Sequence, residues 1–313
     1  MWFVQGTRDR SLSSWIDDAF LLQTVMVNWL SRSVQRLGFT AVLMGLLANP
    51  SFAKDPFRTN NQRPIDDRTE AVFRAVFEKG DYKTAQNLLP QAPNTEPLAN
   101  ALRAALAYQQ GDLNSLSTYA TRTRESAAQL GRTDPLRGNI YQATGSFLEG
   151  AYIVSSQGMV SGIPQALGKL QDAFRFLDAA EKIAPQDPEL NLIKGLIDLN
   201  LAANVRLPLS SPDDAIQRLE RYAGPRYLAD FGLALGYRDL KQYDRALQAI
   251  NQALRSSPDN PQFNYAKAQI LVRQGQRAQS VPLFQKALTK RDQLPAKLVS
   301  QIERELRSAQ QSR

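Results

Sequence analysis

The chain has 313 residues, enough for one extended or two compact domains, and it contains neither cysteine nor histidine. Disulfides, thiolate nucleophiles and cysteine-based metal sites are thereby excluded, and the commonest general base and metal ligand is missing. Its 38 Lys+Arg against 30 Asp+Glu give a net charge of +8, but the signs are interspersed, as in Glu303-Arg304-Glu305-Leu306-Arg307. That is the pattern of a solvated helical surface rather than of a clustered nucleic-acid patch.

Residues 32–53 read RSVQRLGFTAVLMGLLANPSFA. Arg32 and Arg36 precede an uncharged run, Leu37 to Ala48, and Ser51-Phe52-Ala53 places small residues where a signal peptidase reads. The run is well short of the roughly 20 residues of a spanning helix. We therefore expect residues 1–53 to be an N-terminal extension and secretory signal, with Met26 as the start and cleavage after Ala53. An uncleaved membrane anchor is the alternative. Residues 54–65 are polar and carry Pro56 and Pro64, which predicts a flexible lead-in.

A helical region is expected over 66–309. Asp66-Asp67 and Asp213-Asp214 each stand at a helix start, where a carboxylate caps free N–H groups, so neither pair reads as a catalytic dyad. Gly80-Asp81-Tyr82 and Gly111-Asp112-Leu113 have the form of turns between paired helices. Ala180, Pro185 and Gly195 mark a second helix, its stop and a new first helix. Two units are stretched, and loops are expected at 155–168 and 204–214. About six helix pairs result, followed by a capping helix over 295–309 with Leu298, Ile302 and Leu306 on one face.

The most regular part is 227–294, where residues 227–260 lie over 261–294 at an offset of 34. Ala234 falls on Ala268, Tyr237 on Leu271, Ile250 on Phe284 and Ala253 on Ala287. Small residues at Ala246 and Ala253 would let helices approach closely, and Tyr237 and Ile250 would fill the space between. Leu233, Ala234, Tyr237, Ala246, Ile250, Ala253 and Pro258, then Ala268, Leu271, Ser280, Phe284 and Ala287, resemble the tetratricopeptide-repeat (TPR) pattern. Departures are Asp230 and Asn264 in the usual Trp slot, Lys267 for Leu and Asp292 for Pro. In layout the chain resembles exported TPR proteins of cyanobacteria.

The resemblance implies an all-α fold, a right-handed helical-repeat solenoid, and a concave groove lined by the first helix of each unit. On that face fall Phe231, Leu235 and Arg238, then Tyr265, Gln269 and Arg273, as a strip that is apolar in the middle and cationic at one end. The Lys/Asn clamp with which some TPR domains hold a terminal carboxylate does not line this face. The expected function is an exported, non-enzymatic scaffold or adaptor binding a protein or peptide. A membrane-tethered assembly factor and a carboxylate-based envelope enzyme are the alternatives. No cofactor or metal, and no nucleic-acid partner, is expected, and the membrane is met only transiently through the signal segment.

Overall fold

The computed structural model describes residues 55–205 and 211–311. The expected signal segment, its cleavage point and the middle of the 204–214 insertion lie outside the described residues. All regular structure among the described residues is helical, in six antiparallel pairs and a last helix. The pairs are α1 (Asp67–Phe73, prolonged by a π turn to Glu78) with α2 (Tyr82–Leu88), and α3 (Pro97–Gln110) with α4 (Leu113–Leu130). The stretch Pro135–Ile183 breaks at Gly158 (φ 77°, ψ 169°) into α5 (135–157) and α6 (159–183). Next come α7 (Pro188–Asn200) with α8 (Pro212–Arg221), α9 (Arg226–Asp239) with α10 (Tyr243–Ser256), and α11 (Pro261–Arg273) with α12 (Arg277–Leu288). Helix α13 (Ala296–Gln311) ends the array, burying Ile302 and half-burying Leu298 and Leu306.

The helix starts follow local chemistry. Asp66, Asp81, Asp112 and Asp134 each accept a backbone N–H from the first turn of the helix they precede. At α8 the cap is Ser211, and Asp213 and Asp214 sit in the first turn, where they oppose the positive end of the helix. A repeated signature, Pro-x-x-Asn, opens α3, α7 and α11. In each, the Asn side chain donates to the carbonyl six residues back: Asn100 to Asn94 (2.7 Å), Asn191 to Pro185 (2.9 Å) and Asn264 to Pro258 (3.2 Å). Asn264 thus closes the inter-repeat turn from the slot where the TPR pattern usually has Trp.

The small residues do what their spacing suggested. Ala234, Ala246, Ala253, Ala268 and Ala287 have no accessible surface, and Ile250 and Phe284 fill the core beside them. In α9 a Cβ on Gly232 or Gly236 would stand 2.2 Å from the side chain of Leu196 or Leu199, so α7 packs directly on glycine backbone. Such glycines cost a helix about 1 kcal/mol each, and the leucine packing offsets it.

Two expectations fail. Residues 155–168 form no loop; they are the tip of the α5–α6 hairpin, helical except at Gly158. Gly162 is there for contact, since a Cβ on it would lie 3.0 Å from the Ile153 carbonyl. Nor is the lead-in loose. Asp55, Phe57, Arg58 and Ile65 are buried, and the segment runs along the N-terminal ends of the first helices. Arg63 pairs with Asp134, the cap of α5 (2.5 Å). Arg58 forks onto Asp187, the cap of α7 (2.7 and 2.8 Å), and reaches Glu189 (2.9 Å). The Phe57 carbonyl presses on Gly224, just before α9. Asn260, the cap of α11, donates to the Phe77 and Glu78 carbonyls at the end of the α1 π turn (3.1 and 3.2 Å). The Tyr82 hydroxyl accepts from Gln109 of α3 and Gln262 of α11 (3.2 and 2.6 Å), so the first, second and sixth pairs meet at one side chain.

Candidate functional site

The concave face expected to receive a peptide is therefore largely occupied by the chain itself. Phe231 and Leu235 are core residues, and Phe231 stacks on Phe263 with ring centroids 4.6 Å apart. Tyr265 is 1% exposed and gives its hydroxyl proton to Glu305 of α13 (2.6 Å). Burial and the adjacent Glu305 carboxylate hold that hydroxyl well above the usual tyrosine range, so it stays a donor. Upstream on the same face, Glu189 accepts from Arg58 and from Tyr141 (2.5 Å), and Gln262 binds Tyr82. The apolar middle of the expected strip is thus corrected to interior packing. Spacing had put these residues on one helix face correctly, but whether that face is open depends on what lies over it.

The cationic end remains a site. Arg238, Gln269 and Arg273 come together with Val272, Arg277, Glu305, Ser308 and Ala309 around a cleft of about 230 Å³ between α9, α11 and α13. Arg238 is buried and anchored: its Nε donates to Asp239 (2.8 Å) and its Nη1 to Gln269 (2.8 Å). Burial by itself would lower its pKa, but Asp239, together with Tyr265 and Glu305, more than reverses this, so the guanidinium is held as a fixed positive charge. Gln269 passes the order on, donating to Tyr265 (2.7 Å) and to both Glu305 oxygens (3.2 and 3.1 Å). Arg273 and Arg277 stand exposed at the mouth. Three arginines, Arg238, Arg273 and Arg277, face two acids, Glu305 and the Asp239 that holds Arg238, in a cleft sized for a side chain or two. Arg277 and Glu305 were not read as site residues from the sequence, because α12 and α13 reach this cleft only through the turns between helices.

A larger cavity of about 530 Å³ lies between α8, α9 and α10. It is lined by Arg226, Arg245 and Arg255 with Glu220 and Asp230; Arg226 pairs with Asp230, and Glu220 accepts from the Tyr237 hydroxyl with Arg245 3.9 Å away. Among the described residues no group of three or more acidic side chains could hold a metal ion.

Among solved structures, a chain in "Crystal structure of APC/C hetero-tetramer Cut9-Hcn1" is similar over 78% of this chain and 49% of that one, at 14% identity and a TM-score of 0.38. This chain thus spans about half the length of that neighbour. No curated protein matches the sequence. The tetratricopeptide-repeat family model matches residues 201–261 and 231–295, so the repeats of α8 to α12 are of the tetratricopeptide type.

Proposed function

We propose that the protein is an extracytoplasmic binding scaffold that holds an acidic segment of a partner protein in the cleft between α9, α11 and α13. The observation that carries this reading is the preorganised Arg238, fixed by Asp239 and Gln269 behind the exposed Arg273 and Arg277. Charge-assisted hydrogen bonds from a guanidinium already locked in place lose little entropy on binding a carboxylate. A protein partner fits better than nucleic acid because the cleft is small and has a glutamate in its wall, and the chain's other cations are interspersed with acids rather than clustered. The repeat architecture itself supports protein partners in general. Export is inferred from residues 32–53, with a tethered form as the variant reading.

The test is affinity capture from the envelope fraction of the host with the wild-type chain and with Arg273→Glu/Arg277→Glu. Both positions are exposed, so the variant should fold normally. We expect the main partner to be lost in the variant, and recovery by the wild type to fall as salt is raised. Equal recovery with intact helicity would move the interface elsewhere. For export, N-terminal sequencing of native protein should read from Lys54; an intact Met1 or Met26 would mean that the segment is retained as an anchor.

A further inference from the structure

The first helices of the second to sixth pairs begin at Pro97, Pro135, Pro188, Arg226 and Pro261, so the third unit runs 53 residues against 38, 38 and 35 for the others. The excess sits in the far end of the α5–α6 hairpin. It coincides with residues 150–168, the longest stretch of the sequence without a charged side chain, 19 residues. Much of the stretch is not in the interior. Ile163 is 42% and Leu167 38% exposed, one helical turn apart on one face of α6, and residues 155–158 are exposed beside them. The same stripe continues down α6 through Leu170 and Phe174 to the fully buried Leu177. A solvated protrusion has no physical reason to shed its charges, whereas a surface that enters a low-dielectric medium does.

The polar groups at the tip are also arranged for dehydration. The Ser155 hydroxyl donates to the Ala151 carbonyl (2.7 Å), the Ser156 hydroxyl to Ile153 (3.3 Å), and Gln157 to Gln165 across the hairpin (3.2 Å). Charge returns abruptly at the base. Glu149 binds Lys169 (2.6 Å) and Arg124 (2.8 Å), one acid between two cations. No described helix is long and apolar enough to cross a membrane, so entry would be shallow. A second copy of the chain is the poorer occupant. Two exposed side chains fall far short of the roughly 800 Å² per partner that a stable protein interface buries.

We propose that the α5–α6 tip is a lipid-contacting element. Ile163 and Leu167 enter the headgroup–acyl boundary of an anionic bilayer, and the Glu149–Lys169–Arg124 cluster stays in water with its surplus cation toward the surface. This contact is separate from the signal segment and does not depend on the cleft described above.

The lack of native cysteine allows a single-site probe in the full chain. Leu167→Cys would be labelled with the environment-sensitive dye NBD, and Lys241→Cys, at a distant turn, would serve as the control. On adding vesicles of phosphatidylcholine and phosphatidylglycerol at 7:3, NBD at 167 should brighten and shift to the blue while NBD at 241 should not. In co-flotation, Ile163→Asp/Leu167→Asp should weaken vesicle binding at least tenfold relative to Ile163→Leu/Leu167→Met, with unchanged melting of the free proteins. An unchanged signal at 167 would overturn the proposal, whatever residues 1–53 contribute to flotation. So would equal flotation of the two double variants. A change at 167 that follows protein concentration without vesicles would assign the tip to a second copy instead.

Discussion

At the scale of single residues, size matters more than polarity in the repeats. Ala253 has no exposed surface and stands where α10 meets its neighbours, with Ile250 one turn away. Ala253→Leu should destabilise the protein by about 1–3 kcal/mol through overpacking. Arg255, two positions on and exposed, should accept leucine with little change. Thermal melts of the two variants give the comparison, and similar midpoints would remove close helix approach as the reason for the alanines. This part of the fold was legible because it is written in local spacing: a 34-residue offset and alternating small and large slots survive without any knowledge of neighbours. The Pro-x-x-Asn turns at 97–100, 188–191 and 261–264 were equally readable, but at the last of them Asn264 was read only as a departure from the usual Trp.

At the scale of elements, the sequence conceals what touches what. Arg58 and Asp187 are 129 residues apart, and no periodicity records their pairing. The lead-in looked mobile because it is polar and proline-bearing. It is instead folded around Asp55, whose carboxylate takes the Phe57 N–H, the Arg63 N–H and the Arg58 guanidinium. Burial alone would lower the pKa of Arg58, but Glu189, Asp187 and Asp55 together raise it, so the charge is fully retained. Arg58→Ala would leave Asp187 and Glu189 in the interior with fewer cations, a change that costs about 3–5 kcal/mol in comparable buried pairs. We expect a loss of that order in denaturant melts; a loss below about 1 kcal/mol, the range of an exposed pair, would mean that water reaches the network. The same concealment explains the candidate site: the six residues lie on one face as read, yet Phe231, Leu235 and Tyr265 are sealed while Arg238, Gln269 and Arg273 reach the cleft.

At the scale of the whole molecule, linear repeat arrays are held by nearest neighbours alone, and their outer units are the first to melt. Here Tyr82 joins α2 to α3 and α11, and Asn260 ties the sixth pair to the first. Within the array the first and sixth pairs are thereby tied to each other as well as to their neighbours in sequence. Its first pair, the weakest place in an open solenoid, is buttressed by partners about 180 residues away in sequence. Stability then ceases to be a sum over successive units and becomes a property of the closed circuit, so spectroscopic probes in the first and sixth pairs should report one shared transition.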